Sequence, residues 1–292
     1  MNAGLAPLQR SVVIYGLPGS GKTTYLAALW HLVTARDLPT TLRFDSLRDG
    51  DASHLNAIAA RWRSAKVQDR TIVGTAHQVA MNLIGAGDAR VRVSFPDVSG
   101  ETYRRMWEDR ECDPVVASVL KTGSVLLFVH ADSIRAPQWI VDVATLSQQL
   151  GLPMVAGQEV QWHPRLAPTQ VQLVGLLQLL RSGPLDSGRR RLAVMLSAWD
   201  KAEAEGLGPA AFLRAKMPLL HQYLDQAADE WTWRVYGVSA QGGEYEPNDT
   251  PVPPNERTEA LRALDSASQR IRLVQSDHES HDLTEPLVWL ME

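Results

Sequence analysis

The chain has 292 residues, 45% of them apolar and 21% charged, with a formal net charge of −4. This is the balance of a folded globular protein and excludes a disordered or fibrous chain. No global basic surface recommends nucleic acid or anionic lipid as a partner, and the single cysteine, Cys112, excludes an internal disulfide or a cysteine zinc cage. Met1 to Gln9 has no basic stretch followed by an apolar core, so no secretory signal is expected. The longest apolar runs, such as Val125 to Val129, are too short to span a bilayer. The expected compartment is a reducing cytoplasm.

In chain order, Ser11 to Tyr15 reads as a buried strand that ends at Gly16. Lys22 to Ala35 reads as a helix, with Leu26, Leu29, Trp30 and Val33 at helical spacing. Leu42 to Phe44 reads as a short strand and Leu55 to Trp62 as a helix. His77 to Ile84 and Ala89 to Phe95 alternate apolar and polar residues around Gly85-Ala-Gly-Asp88, the pattern of a hairpin. Ser124 to Val129 and Leu192 to Leu196 are solid apolar runs, as central parallel strands require. Gln170 to Leu180 is an apolar helix between them, and Trp231 to Val238 a further strand. Glu244 to Pro254, rich in Pro, Asn and Asp, reads as a loop. A short helix over Thr258 to Leu264, a strand over Ile271 to Val274 and a helix over Leu283 to Met291, with Asp282 as N-cap, complete the chain. Strands alternating with helices predict an α/β fold with a mainly parallel sheet.

Gly16-Leu-Pro18-Gly19-Ser20-Gly21-Lys22-Thr23 matches the phosphate-loop pattern G-x-x-x-x-G-K-[ST], between a strand and a helix as the mechanism requires. The glycines let backbone N–H groups face phosphate oxygens, and the helix N-terminus adds partial positive charge. Lys22 is the candidate for the β- and γ-phosphates, Thr23 for Mg²⁺, and Thr24 for a further phosphate contact. The pattern predicts a nucleoside triphosphate and does not choose the base.

Three further pieces follow. Val91 to Pro96 leads into Asp97-Val-Ser-Gly100-Glu101: an aspartate there can hold Mg²⁺ through water, and the Gly100 N–H can reach the γ-phosphate. A plain strand-turn has the same residues. Ser197-Ala-Trp-Asp200 follows the next apolar strand, and Asp200 can accept two hydrogen bonds that guanine donates and adenine cannot. A helix-capping aspartate is the other reading. Ser239-Ala240 follows the last parallel strand, where backbone N–H groups can meet the guanine carbonyl. All four motifs fall at C-terminal ends of strands, where open α/β sheets bind ligands.

Taken in this order, from about Val12 to Gln241, the motifs resemble the Ras-like, translation-factor-related GTPases. Ser197 and Ala198 stand where that group's Asn/Thr-Lys-x-Asp motif has Asn or Thr and Lys. Gly16-Leu-Pro-Gly-Ser-Gly-Lys-Thr-Thr-Tyr-Leu-Ala-Ala-Leu-Trp30, Phe95-Pro-Asp-Val-Ser-Gly-Glu101 and Asp282-Leu-Thr-Glu-Pro-Leu-Val-Trp289-Leu look like the bacterial double-GTPase family. The resemblance implies a P-loop three-layer sandwich with a mainly parallel sheet, one antiparallel edge strand and helical insertions. It implies one GTPase domain over residues 1–292, with its core at about 11–243, insertions at about 37–70 and 134–190, and residues 244–292 packing on the core. It implies GTP and GDP as ligands, Mg²⁺ as cofactor, a partner GTPase or an activating or effector protein, and a setting in bacterial conflict or antiphage defence.

A GTPase also needs a switch threonine over the metal, and Thr71 and Thr75 are both candidates. Arg70, beside Thr71, could act as an arginine finger in cis. Glu101 occupies the position that orients the attacking water in the resembled family and is the candidate catalytic residue. Arg104 and Arg105 are partner contacts or simply solvated. The histidines form no metal-spaced pair, and His278 and His281 read as loop residues. The reading is an Mg²⁺-dependent GTPase switch that is slow alone. A P-loop ATPase or kinase, or a nucleotide-binding module without turnover, remain the alternatives.

Overall fold

The computed structural model describes residues 10–49, 52–68, 78–88, 90–96, 100–137, 149, 161–245 and 256–292. The strands are β1 (Arg10–Tyr15), β2 (Arg43–Asp49), β3 (Gln78–Ile84), β4 (Arg90–Pro96), β5 (Ser124–His130), β6 (Arg190–Ser197), β7 (Trp231–Ser239), β8 (Arg272–Gln275) and β9 (His278–Ser280). The helices are α1 (Lys22–Ala35), α2 (Ala52–Arg63), α3 (Gly100–Asp109), α4 (Pro114–Leu120), α5 (Thr169–Leu180), α6 (Trp199–Ala202), α7 (Pro209–Lys216), α8 (Pro218–Gln226), α9 (Glu256–Arg262) and α10 (Glu285–Met291).

All the described strands form one sheet in the order β2-β3-β4-β1-β5-β6-β7-β8-β9. The central five, β4-β1-β5-β6-β7, are parallel. Strand β1 explains why. Val12, Val13, Ile14 and Tyr15 are all buried, so both faces of the strand are covered, as parallel sheets require. Val12 and Ile14 point into a core shared with α1, α2 and α10; Val13 and Tyr15 point into a core shared with α3, α5, α7 and α8. Sheet and two helical layers give the expected P-loop α/β sandwich.

The margins extend the expectation of one antiparallel edge strand. On one side β4, β3 and β2 pair antiparallel in succession, and on the other β7, β8 and β9 do the same. Strand β9 is three polar residues, His278–Ser280, with no apolar alternation of its own; it forms because β8 offers a free edge. His278 therefore lies in a strand, where a loop was expected. The β3–β4 hairpin, α1 and α5 fall where periodicity puts them.

Asp282 is not the N-cap of the last helix. Helix α10 begins at Glu285 with Thr284 at the N-cap. Asp282 sits two residues earlier and ties two segments together. Its Oδ1 accepts from Thr284 N and Oγ1 at 2.8 and 2.6 Å, and its Oδ2 from Thr41 N and Oγ1 at 2.6 and 2.8 Å. Helix α10 lies against β1, β5 and β6 and buries Leu287, Trp289 and Leu290. No helix among the described residues is long and apolar enough to cross a membrane.

Candidate functional site

The phosphate loop leaves β1 at Gly16, whose φ is +146°. A Cβ there would stand 2.6 Å from the Phe128 carbonyl oxygen, so only glycine fits. Gly21, with φ +86°, caps α1 without a side chain, and a Cβ on it would meet the Ser197 side chain at 2.9 Å. Helix α1 has neither a side-chain cap nor an acidic residue in its first turn, so its leading N–H groups face the loop. Lys22 folds back across that loop: its Nζ donates to Gly16 O at 2.8 Å, Leu17 O at 2.7 Å and Ser20 Oγ at 3.1 Å. The ammonium also lies 5.6 Å from the Tyr103 ring centre. Thr23 and Thr24 are half-buried, and their hydroxyls make no hydrogen bond among the described residues.

The second motif approaches from β6. Ser197 Oγ donates to Ser20 O at 2.9 Å, which ties the end of β6 to the phosphate loop. Ala198 then turns in the left-handed region, φ +54°. Trp199 is 2% exposed, stacked edge-on against Phe212 with ring centres 5.4 Å apart and seated on Gly237. With Trp199 anchored, Asp200 is held half-buried in the first turn of α6. Ser239 Oγ donates to Asp200 Oδ1 at 2.6 Å and accepts from Gly242 N at 3.2 Å, so the turn after β7 orients the carboxylate. Ser197 thus ties the end of β6 to the phosphate loop, and Ser239 ties Asp200 to the turn after β7.

Three partners of this site carry no motif. Trp62 Nε1, from α2, donates to Ala240 O at 2.8 Å and so holds the turn after β7. Lys201 Nζ bridges Asp132 at 3.2 Å and Glu244 at 2.8 Å, joining the ends of β5, β6 and β7. Hydrogen bonding to those carboxylates raises the Lys201 pKa. His130 closes the end of β5, and its pKa is lowered by burial against the opposing pull of Asp132. The apolar spacing that reveals α2 gives no sign that Trp62 reaches a loop 178 residues away.

Asp97, Arg70, Thr71 and Thr75 lie outside the described residues, as does the side chain of Glu101. The backbone of Gly100 and Glu101 opens α3. Tyr103 fixes that helix: its hydroxyl donates to Ile14 O at 2.8 Å, and its ring meets Tyr15 edge-on at 4.5 Å. Beside the phosphate loop, Leu17, Pro18, Arg104, His130, Arg135 and Arg165 line a cavity of about 350 Å³. Pro18 is thus part of its wall.

No curated protein matches the chain. Among solved structures it is similar to the GTPase-like domain of Saccharomyces cerevisiae Ski7 bound to GDP and inorganic phosphate, at 12% identity and a TM-score of 0.41, covering 85% of this chain and 47% of that one. It is also similar to the signal recognition particle receptor SRb-GTP/SRX complex of Chaetomium thermophilum, at 13% identity and a TM-score of 0.39, covering 84% and 94%. The Double-GTPase 1 family matches over residues 13–290, which takes in the phosphate loop, the base motifs and nearly all of the C-terminal segment. The chain belongs to the Double-GTPase 1 family and is a GTP-binding protein of the P-loop class.

Proposed function

We propose that this protein hydrolyses GTP to GDP with Mg²⁺ and works as a molecular switch, slowly when alone. The observation that carries the reading is the pair of hydroxyl ties at the base motif. Ser197 joins it to the phosphate loop, and Ser239 aims Asp200, at 2.9 and 2.6 Å. A carboxylate held in this way can accept from guanine N1 and N2. Adenine offers no such donors, which disfavours the ATPase and kinase alternative.

Gly16, Pro18, Gly19, Ser20, Gly21, Lys22, Thr23 and Thr24 are the proposed phosphate cradle. Lys22, which already holds three oxygen acceptors, exchanges some of them for the β- and γ-phosphates. The unengaged Thr23 hydroxyl fits a Mg²⁺ ligand, with Asp97 and either Thr71 or Thr75 completing the protein's share. Bound there, Mg²⁺ would neutralise charge on the β- and γ-oxygens. Gly100 contributes its N–H to the γ-phosphate. Glu101 orients the attacking water, and Arg70 counters transition-state charge. One GTPase domain over residues 1–292, a cytoplasmic location, a partner GTPase or effector, and a role in bacterial conflict or antiphage defence rest on the family resemblance.

Single-turnover hydrolysis tests the reading. Glu101→Ala should keep GTP affinity within a few-fold and lower the rate at least tenfold, about 1.4 kcal/mol of barrier. Chelating Mg²⁺ should stop turnover in both proteins. An intact rate in the variant removes Glu101 from the chemistry. Bound GTP that wild type never hydrolyses supports the binding module instead.

A further inference from the structure

The parallel strands β1, β5, β6 and β7 begin at the other end of the sheet, at Arg10, Ser124, Arg190 and Trp231. That end lies about 20 Å from the nucleotide loops, counting about 3.3 Å per strand residue. Between the strand starts is a cavity of about 670 Å³. Its wall carries Arg10, Lys121, Arg189, Arg190 and Arg191 against one carboxylate, Glu292. The chain as a whole carries −4, so this excess of cations is local. None of the phosphate, base or metal candidates belongs to it.

Two of the cations are preset by the backbone. Arg190 is 5% exposed, and its Nε donates to Gly123 O at 2.8 Å. Its Nη1 and Nη2 are buried with no hydrogen-bond partner among the described residues. The nearby Asp186 is taken by Arg181 at 2.6 Å. Burial, with Arg181 beside it, pushes the Arg190 pKa down to about 10. Asp186 acts on Arg190 only through space, and a buried guanidinium with no hydrogen-bonded counter-charge among the described residues is costly; an anion in the adjoining cavity would offset that cost. Arg191 Nη1 donates to Trp289 O at 3.0 Å, with the guanidinium 5.4 Å from the Trp289 ring centre. Arg10, Lys121 and Arg189 are exposed and have no ion-pair partner among the described residues. Ser11, Ser187 and Thr232 add hydroxyl donors to the wall.

Guanidiniums pair with phosphate oxygens in two-pronged fashion, and hydroxyls complete such shells. The volume falls in the range of small-molecule pockets, about 300–1,000 Å³. A polymer would be served better by an open basic stripe. We propose that this end of the sheet is a second anion site that takes a small molecule bearing several phosphates, independent of the nucleotide site.

The test titrates inorganic tripolyphosphate by calorimetry into GDP-loaded wild type, into the GDP-loaded double variant and into nucleotide-free Lys22→Ala, with Mg²⁺ matched in all solutions. Wild type and Lys22→Ala should bind alike, since the site does not use the phosphate loop. The double variant Lys121→Ala/Arg189→Ala should bind at least tenfold more weakly, with thermal stability and GDP affinity unchanged. Arg10→Ala is a second variant should the double one lose its fold. Absence of saturable binding overturns the proposal, as does binding lost in Lys22→Ala and kept in Lys121→Ala/Arg189→Ala. Single-stranded RNA or phosphatidylserine vesicles that bind more tightly than tripolyphosphate, and lose binding in the same double variant, overturn the small-molecule assignment.

Discussion

At the residue scale, the charge of Lys22 is the feature that the phosphate loop replaces nowhere else, since no second lysine lies in the loop. Lys22→Ala should abolish triphosphate binding in a titration while leaving the fold intact, because the turn at Gly16 and Gly21 is set by backbone conformation. Triphosphate affinity like that of wild type would remove the assignment. Asp200→Asn should weaken GTP by roughly 2–4 kcal/mol and favour XTP, because the amide can donate to the xanthine carbonyl. Competition between GTP and XTP in both proteins reads this out, and an unchanged preference contradicts it. The phosphate loop was legible because its mechanism is local in sequence. Ser197 was visible only as a departure from the resembled motif. Its tie to Ser20, 177 residues away, shows that a hydroxyl at this position is enough to join the two loops.

At the element scale, the segment ahead of α10 holds the C-terminal helix against the body of the sheet. Asp282 is 7% exposed and accepts hydrogen bonds from Thr41 and Thr284 at 2.6 to 2.8 Å. Asp282→Ala leaves the buried Thr284 donors unpaired and the exposed Thr41 donors to water, and should cost about 1–3 kcal/mol in urea unfolding. A change under about 0.5 kcal/mol, the range of ordinary surface substitutions, would show that water replaces the tie. Helices that are apolar for most of their length, such as α1 and α5, and a helix with one apolar face, α2, could be read from sequence. Helix α3 could not. Its Glu101, Arg104, Arg105, Glu108 and Asp109 are charged, and among its described side chains only Tyr103 and Met106 are buried. Strand β9 owes its form to an edge partner, and Trp62 owes its role to a distant turn. Neither dependence leaves a local pattern.

At the scale of the whole molecule, half-buried histidines contribute to the response to acid. Burial lowers the pKa of His31 and His130, against the opposing pull of Asp37 and Asp132 respectively. The unfolded chain therefore takes up protons before the folded one as pH falls through about 6.5. Stability should drop below that pH and level off once the folded histidines also titrate. Melting should occur at lower temperature at pH 5.5 than at pH 7.5, and His31→Gln should reduce the difference; an equal slope in the variant would mean that His31 does not contribute. The central claim concerns the ligand that the four strand-end loops gather around. It is tested most directly by mass spectrometry of the nucleotide released from the purified, undialysed protein. The account predicts GDP or GTP, reduced to trace in Lys22→Ala; adenine nucleotides in wild type would contradict it.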